Sequence, residues 1–412
     1  MTERLYYADP YCREFDAIIQ RVERRGDRTL IVLDRTAFYP TSGGQPFDIG
    51  ALEIVEQPAM HSMPARHSIV DVLDEEDGTV FHALDERSSS PEGAPQPGQA
   101  VRGTIDWPRR FDHMQQHTGQ HVLSAAFDRL FAARTVSFHL GTAISTIDLA
   151  RELSRDEIAR AETEANRVVW ENRPVEIRFV SAEQAASLPL RKETAREGTL
   201  RLIDIDNFDL SACGGTHVAR TGSIGVIAIG AVERFKGGQR VEFMCGGRAL
   251  GALRSTRDTI AGAVRLLSVL PEELPAAIER LQTEARERQR ELTALHHDLA
   301  RYRAGELAAS AEQTPAGRAV LRIVDADAKG LKELASAIIS APGFVVVMAG
   351  TARPCLAVVA RSSDVSVAAN QVVAALTAKF GGRGGGKPDL AQAGGLDAPP
   401  EAILECARAL LG

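Results

Sequence analysis

Short β-prone segments fill the first hundred residues of the 412-residue chain. Runs such as TLIVLDRTAFYP, SIVDVLD and VRGTIDW are rich in β-branched and other apolar residues, and polar, glycine or proline residues separate them. Many short strands at such spacing are typical of a small barrel or a strongly bent sheet. We therefore predict a glycine-rich β-barrel over residues 1–106.

The hydrophobic pattern changes at Trp107. The segment RRFDHMQQHTGQHVLSAAFDRLF carries apolar residues at helical intervals, which predicts a long helix. Ser154 followed by Glu157 is a capping box at the start of a second predicted helix. Strand-like runs such as PVEIRFV, LRLIDID and RVEFMC lie between and after the helices. We predict an α+β domain over residues 107–255.

A further long helix is predicted within residues 256–312. After Pro271 and Pro275, apolar residues recur at intervals of three and four from Leu274 to Tyr302, interrupted at Arg288. This heptad-like spacing indicates a coiled coil, or a helix packed on a partner. An amphipathic helix packed on its own protein would show the same pattern, so both interpretations stay open.

The last part of the chain, residues 313–412, alternates predicted strands and helices. The runs AVLRIVDAD, GFVVVMAGT and CLAVVARS are strand-like, and VAANQVVAALTAKF and PEAILECARALL are helical. Such alternation is typical of a compact α/β domain. The glycine-rich run from Gly381 to Pro388 follows directly after one of its helices. The fold class predicted for the whole chain is α+β.

The composition limits which cellular environments and which binding partners fit this protein. A net charge of −7 argues against broad nonspecific binding of nucleic acid, although local basic patches remain compatible with it. The charged N-terminus lacks the apolar core of a signal peptide, and no apolar run of membrane-spanning length occurs, so we expect a cytoplasmic protein without a membrane partner. Five scattered cysteines argue against a disulfide framework and favour free thiols or metal ligands.

Two residue pairs predict a metal site. His117 and His121 are four positions apart on a predicted helix, so their imidazoles lie on one face. Cys213 and His217 again bracket three residues, and the glycines between them allow a tight turn. One thiolate with imidazoles suits Zn²⁺, and two such pairs in one chain predict a zinc site. His113 and His139 are further candidates, but lone histidines are more often core or surface residues.

The loop between Asp34 and Pro46 is a second candidate region. Gly43 and Gly44 predict a bend that brings backbone near a ligand, with Thr36 and Gln45 as polar groups beside it. A plain hairpin turn explains the same residues. A basic cluster of Arg191, Lys192, Arg196 and Arg201 is interpreted as a solvated face rather than a surface that binds nucleic acid.

Three separated motifs resemble one family. The loop at Thr36, the segment HTGQHVLSA and the segment CGGTHVARTGSIG resemble the editing domain of alanyl-tRNA synthetases and of free-standing alanyl-tRNA editing proteins. The segment GGRGGGKPDLAQAGG resembles the C-terminal domain that these synthetases share with DHH-type phosphoesterases. The layout looks like the long free-standing form, with a translation-factor-like barrel, a zinc editing core, a long helix and a glycine-rich α/β domain. One departure is that Thr41 and Ser42 precede Gly43, where the family often has a glutamate.

The resemblance implies site residues and partners. His117, His121, Cys213 and His217 would bind zinc, while Thr36 would meet a serine hydroxyl and Gln45 would lie in the same pocket. The C-terminal domain would contact tRNA, for which we name Arg383, Gly384, Gly385, Gly386 and Lys387. A homodimer through the long helix or this domain is a further expectation.

The implied activity is hydrolysis of a mischarged tRNA(Ala), chiefly the seryl ester and secondarily the glycyl ester. The chain begins directly at the barrel without a class II aminoacylation domain, so we expect no aminoacylation. Three alternatives are an editing activity of the threonyl-tRNA synthetase type, phosphodiester hydrolysis by the C-terminal domain, and a non-catalytic tRNA-binding or zinc-sensing role. The sequence contains no Asp-His-His triplet, which argues against the second.

Overall fold

A computed structural model describes residues 2–55, 65–85, 94–192 and 198–412. The chain falls into two units, Met1–Gly262 and Ala263–Gly412. The finer boundaries predicted after residues 106, 255 and 312 stay predictions. Arg196 of the basic cluster lies outside the described residues.

The first unit begins with a closed barrel. Its elements are β1 (Glu3–Arg4), α1 (Leu5–Ala8), β2 (Glu14–Arg25), β3 (Arg28–Leu33), β4 (Arg35–Thr36), β5 (Gly50–Ile54), β6 (Arg66–Asp74), β7 (Val80–Leu84) and β8 (Ala100–Ile105). Six strands close in the order β2-β3-β7-β6-β5-β8, and every neighbouring pair is antiparallel. Phe15, Ala17 and Ile19 alternate with exposed neighbours on β2, so every second side chain enters the barrel core. The predicted barrel is confirmed.

The rest of the first unit packs around one buried helix. Its elements are α2 (Trp107–Phe131), β9 (Thr135–Leu140), β10 (Ser145–Leu149), α3 (Arg155–Trp170), β11 (Val175–Ser181), α4 (Ala182–Ala186), β12 (Thr199–Ile205), β13 (Asp209–Ala212), β14 (Ile227–Phe235) and β15 (Gly238–Cys245). Two sheets result, with the orders β14-β15-β10-β9 and β11-β12-β13. All of their pairings are antiparallel. This mixture of helices and antiparallel sheets agrees with the predicted α+β class.

Helix α2 carries polar residues into the interior. The side chain of Asp106 accepts a hydrogen bond from the backbone N–H of Arg109, and Pro108 occupies the first turn, where a missing N–H costs nothing. Most residues between His113 and Phe127 are buried. A helix that is buried nearly all round presents its histidines to the protein rather than to water. The capping box predicted at Ser154 and Glu157 is present at the start of α3.

Helix α5 (Gly247–Leu267) and helix α6 (Leu274–Ala309) occupy the region predicted to hold one long helix. A 3-10 turn at Pro271–Glu273 separates them, because proline lacks the N–H that an uninterrupted helix needs. Apolar side chains of α6 including Leu281, Leu292 and Leu295 are exposed. Neither helix, nor any other within the described ranges, is long and apolar enough to cross a membrane.

The second unit continues as a sheet with helices on both faces. Its further elements are β16 (Glu312–Thr314), β17 (Gly317–Val324), α7 (Ala328–Ile339), β18 (Phe344–Gly350), β19 (Cys355–Arg361), α8 (Ala369–Phe380), β20 (Arg383–Gly386), β21 (Leu390–Leu396) and α9 (Pro400–Leu411). The sheet order is β16-β17-β18-β19-β21-β20, and only β17 and β18 pair in parallel. Helices α6 and α7 contribute to one apolar cluster, and α8 and α9 contribute to the other. Every residue of β18 is buried, as expected for a strand covered on both faces.

Candidate metal centre

The four residues predicted as ligands meet in one place. His117 and His121 project from consecutive turns of α2, and Cys213 and His217 lie on the turn that follows β13. The ligand atoms of all four residues lie within 4.8 Å of one another. The three imidazoles are buried, and Cys213 is half-buried. These side chains could hold one metal ion.

The distances around the sulfur fit tetrahedral coordination. The Cys213 Sγ atom lies 3.3 Å from His117 Nε2 and 3.3 Å from His217 Nε2. Ligand atoms about 2.0–2.3 Å from a tetrahedral zinc ion are separated by roughly 3.3–3.7 Å. A softer sulfur with three nitrogens is also a donor set that zinc accepts. The donor chemistry and the spacing of these atoms therefore both suit zinc.

The other nitrogen of each ring has a partner that fixes its tautomer. His117 Nδ1 lies 2.8 Å from Gln45 Oε1, and His121 Nδ1 lies 2.9 Å from Asp209 Oδ2. His217 Nδ1 lies 3.2 Å from the Thr118 hydroxyl, whose own proton is donated to the Met114 carbonyl. Each Nδ1–H can therefore donate outward, which leaves Nε2 as the metal-binding atom. Such outer partners orient the ligands of metal sites.

Electrostatics favour the ligand form of Cys213. Burial raises the pKa of the thiol, but the charges of His117 and His217 and hydrogen bonds to the imidazoles outweigh burial and hold the pKa well below its ordinary value. Burial also opposes the charged form of Asp209, yet its hydrogen bond with His121 and the charge of Arg191 lower its pKa to about 2. The surroundings therefore favour the thiolate form of Cys213, and the Asp209 carboxylate is charged at neutral pH.

The turn between Cys213 and His217 requires glycine at one position. A Cβ atom on Gly215 would lie 2.2 Å from His117 Cε1 and 2.3 Å from His117 Nδ1. A Cβ atom on Gly214 would meet only the ring of Tyr7, at 3.7 Å or more. The missing side chain of Gly215 therefore makes the space in which the His117 ring lies.

The two residues of the N-terminal loop have different surroundings. The carboxamide of Gln45 contacts the candidate metal ligands. Its Oε1 accepts hydrogen bonds from His117 Nδ1 and from the Thr216 backbone N–H, at 2.8 and 3.0 Å. Its Nε2 donates to the Thr216 hydroxyl at 2.8 Å. Thr36 is fully buried in the barrel, where its hydroxyl lies 2.8 Å from His82 Nε2. Burial lowers the pKa of His82 to about 4, so this imidazole is neutral. Its Nδ1–H faces the Ile31 carbonyl, and its Nε2 therefore accepts the Thr36 proton.

A cavity of about 560 Å³ opens beside the cluster. His121, Cys213 and Gly214 line one part of it. Arg201 also lines the cavity, and it donates to the backbone carbonyls of Cys213 and Gly215, at 2.7 and 2.9 Å. The solvated-face interpretation of Arg201 is wrong, because this side chain is buried and supports the metal-binding turn. Arg191 is bound to Asp209 at 2.6 Å, while Lys192 is exposed.

The remaining candidates lie outside the cluster. His113 is buried on α2 and burial lowers its pKa to about 4, and His139 is exposed on β9. Cys245 is buried against α2, where a Cβ atom on Gly119 would lie 2.3 Å from its Sγ. In the second unit, Arg383, Gly384, Gly385 and Gly386 form the exposed edge strand β20, and Lys387 follows directly.

Asp209, Thr118, His82 and Arg201 are the polar residues of these sites that sequence reasoning did not assign. Asp209 precedes Cys213 by four positions, but that spacing carries no metal signal in a strand followed by a turn. Each contact depends on tertiary packing between separate elements. A local motif therefore could not identify them.

Three protein-family profiles match parts of the chain. The profile of class II (A) tRNA synthetases matches residues 12–109. The second additional domain of threonyl and alanyl tRNA synthetases matches residues 200–242, which include most of β12, all of β13 and the turn that carries Cys213 and His217. The DHHA1 domain matches residues 317–411, from β17 to the end of α9.

Full-length relatives of two kinds are similar to the chain. An alanyl-tRNA editing protein, AlaX-L, of Pyrococcus horikoshii is 29% identical over 99% of this chain and 98% of its own length. The alanine–tRNA ligase of Pyrococcus abyssi is 33% identical over 95% of this chain, which spans only 42% of that ligase. Among solved structures, the C-Ala domain of the Aquifex aeolicus alanyl-tRNA synthetase is 21% identical over 24% of this chain and 96% of that domain, with a TM-score of 0.23 that supports no conclusion about the fold.

Proposed function

We propose that this chain, which belongs to the family of alanyl-tRNA editing proteins, is an aminoacyl-tRNA deacylase that hydrolyses mischarged Ser-tRNA(Ala). The glycyl ester is the second candidate substrate. The observation that carries the proposal is the buried His117–His121–Cys213–His217 cluster beside an open cavity, in a chain related to AlaX-L over almost its whole length. Ester hydrolysis needs no ATP, and the activity would serve translation fidelity in the cytoplasm.

Physical chemistry explains why such an activity is needed. A synthetase pocket shaped for alanine cannot strongly reject an amino acid that adds only a hydroxyl. Glycine is smaller and lacks only a methyl group, whose burial contributes about 1 kcal/mol. A second site that recognises the hydroxyl can remove the wrong ester after it has formed. The ester bond to the terminal ribose is also more reactive than an amide, so modest activation suffices.

The proposed cofactor is zinc. His117, His121, Cys213 and His217 would hold it through three Nε2 atoms and one Sγ atom. When bound, zinc would supply a positive charge that orients the end of the substrate. Four protein ligands describe a closed site. The residues of the chain itself must then position the ester and the attacking water, and Gln45 contributes by fixing the ring of His117.

Thr36 is the proposed contact to the serine hydroxyl. Its own proton is donated to the neutral His82, and it accepts one hydrogen bond from the Phe38 N–H, at 3.1 Å. One lone pair of its oxygen is left to accept a proton from serine. Alanine and glycine have no hydroxyl to donate. Because Thr36 is fully buried, we propose that the substrate reaches it through a small movement of the loop that ends at Gln45.

The second unit is the proposed tRNA-binding part. Strand β20 is exposed along its whole length at the edge of the sheet, and Arg383 and Lys387 flank its glycines. Glycine backbone amides beside cations suit phosphate groups. A homodimer through α6 or the second unit is supported by the exposed leucines of that helix.

A panel of deacylation assays tests the proposal. The serine ester of tRNA(Ala) should be hydrolysed fastest and the alanine ester slowest, and chelation should abolish activity that added zinc restores. Thr36→Val should slow the serine ester about 3- to 10-fold and leave the glycine ester unchanged, since one net hydrogen bond contributes about 1 kcal/mol. Thr36→Ser keeps the hydroxyl and is the control. Equal rates on all three esters would remove the proofreading role.

A further inference from the structure

Two apolar side chains are exposed at the outer part of the cavity that adjoins the metal cluster. Phe179 of β11 is 53% exposed and Val136 of β9 is 59% exposed, and both line this cavity. Scattered exposed apolar residues are ordinary. Here, however, they belong to the lining of the same concave site, on strands of two different sheets, and that arrangement indicates a bound apolar group.

The strand geometry shows how Phe179 reaches the cavity. Side chains of one strand alternate between faces, so Ile177 and Phe179 point to the same side of β11. They pair with Ile203 and Arg201 of β12. Ile203 is fully buried in the core that contains α2. The same face of this sheet therefore begins as core at Ile177 and Ile203 and continues as cavity wall at Phe179 and Arg201.

The opposite wall of the cavity is formed by β9, an edge strand of the four-stranded sheet β14-β15-β10-β9. Val136 and Phe138 alternate with Ser137 and share a face, and both line the cavity. The ring of Phe138 lies 5.8 Å from that of His117, centroid to centroid. The apolar lining thus extends from the metal cluster, past Phe138, to the exposed Val136. Phe179 and Val136 offer a flat ring and a branched side chain to one ligand.

Cations lie in the same cavity. Arg201 is 8% exposed, and its Nη2 atom has no hydrogen-bond partner among the residues that the structure describes, while its other nitrogens donate to three backbone carbonyls. An unpaired buried donor on a charged group is costly, so a ligand oxygen would stabilise it. Lys192 also lines the cavity, and it makes no ion pair within the described ranges. Apolar and cationic groups in one cavity match the base and the oxygen atoms of a nucleotide.

We propose that the outer part of this cavity binds the terminal adenosine of the aminoacyl-tRNA, an inference that rests on the proposed function. The base packs against Phe179, with Val136 on the other wall. Arg201 donates to an oxygen of the esterified ribose, and Lys192 neutralises the phosphate. The aminoacyl group then extends toward His121 and Cys213. Aromatic stacking tolerates any base, so this contact contributes affinity rather than the choice among tRNAs.

Calorimetry with adenosine 5′-monophosphate and the zinc-loaded full chain tests the proposal. Phe179→Ala should weaken binding about 5- to 150-fold, which corresponds to the 1–3 kcal/mol that one stacked base contributes. Phe179→Tyr keeps the ring and should bind as the unaltered protein does. Ribose 5-phosphate lacks the base, so its weaker binding should not depend on Phe179. The matched control is Trp170→Ala, which removes an aromatic side chain that is 71% exposed at the end of α3.

Three results would overturn the proposal. The first is equal binding of adenosine 5′-monophosphate by Phe179→Ala and by the unaltered protein, and the second is no binding by the unaltered protein at millimolar nucleotide. The third is an equal loss of binding in Trp170→Ala, which would indicate a nonspecific effect. Calorimetry requires no turnover, so a protein that failed to hydrolyse any ester would still give an answer. In an active protein, Phe179→Ala should raise KM for Ser-tRNA(Ala) with little change in kcat.

Discussion

Two glycine runs of this chain resemble each other in sequence and have opposite surroundings. Gly214 and Gly215 lie in the turn after β13, where Gly215 is buried against the ring of His117. Gly384, Gly385 and Gly386 form most of β20, which is exposed along its length at the edge of a sheet. In the first run the missing side chain makes room for another side chain of the protein. In the second it leaves backbone open on one side.

This difference predicts that substitutions in the two runs have different consequences. Around the metal cluster, each imidazole has an outer partner, and a displacement of one ring disturbs several hydrogen bonds. Along β20, Gly384 and Gly386 are required by close neighbours, since their Cβ atoms would lie 2.6 Å from Val373 Cγ1 and 2.5 Å from Ala391 Cα. A Cβ atom on Gly385 would meet no heavy atom within 4 Å. A large effect is therefore expected from a methyl group at Gly215 and a small one from a methyl group at Gly385.

Gly215→Ala should have the largest effect. Its methyl group would overlap the His117 ring, which must then leave its position beside Gln45 and Cys213. We expect zinc affinity and deacylation each to fall by more than about 100-fold, since the loss of one ligand converts a closed site into an incomplete one. Zinc content by mass spectrometry and single-turnover deacylation measure the two effects.

Gly214→Ala is the matched control for that substitution. Its methyl group would meet only Tyr7, at an ordinary contact distance of 3.7 Å or more. Zinc content should remain within about twofold of the unaltered protein. An equal loss of zinc in both variants would show that the turn needs glycine for its backbone, and would contradict the steric explanation for Gly215.

Asp209→Asn should have the next largest effect, because it keeps the shape of the side chain and removes the charge that holds His121. Loss of an outer partner typically reduces metal affinity about 10- to 100-fold. Asp204→Asn on β12 is the control, since Asp204 forms an ion pair with the half-exposed Arg178 and surface ion pairs contribute little. A competition titration with a zinc chelator measures both. Unchanged affinity in Asp209→Asn would remove its role in orienting the ligand.

The sequence predicted that His117, His121, Cys213 and His217 could form one metal site because the spacing within each pair is local. His117 and His121 are neighbours on a helix wherever that helix packs, and Cys213 and His217 share one short turn. The bend at Gly43 and Gly44 predicted that Gln45 lies near a ligand, but its contact with His117 joins the barrel loop to α2 and has no local sequence signal. Asp209 was missed for the same reason. Arg201 was misinterpreted because charge alone does not show that a guanidinium is buried under backbone carbonyls.

The fold, like the candidate site, was predictable from the sequence where the signal is local. Alternation of apolar residues identified the strands of the barrel, and the Ser154 capping box identified the start of α3. The order β2-β3-β7-β6-β5-β8 depends on pairings between distant segments, which the local pattern does not encode. The glycine run at residues 381–388 carried no strand signal, because glycine lacks the side chains by which strands are recognised. Pairing with β21 makes it a strand.

Gly385→Ala should have the smallest effect and the most specific one. A Cβ atom on Gly385 would point into open space, and the backbone of Gly385 is not in the left-handed region. Alanine at this position should therefore leave the thermal midpoint of unfolding unchanged. If the backbone of β20 approaches a phosphate, the added methyl group should weaken tRNA binding about two- to fivefold without altering the preference for the serine ester. Gly384→Ala is the contrasting variant, because its methyl group would overlap Val373 and should lower the thermal midpoint. Filter binding of tRNA(Ala) at two salt concentrations measures the effect on binding, and thermal melting measures the effect on stability. Unaltered tRNA binding by Gly385→Ala would exclude a close contact between tRNA and the middle of β20.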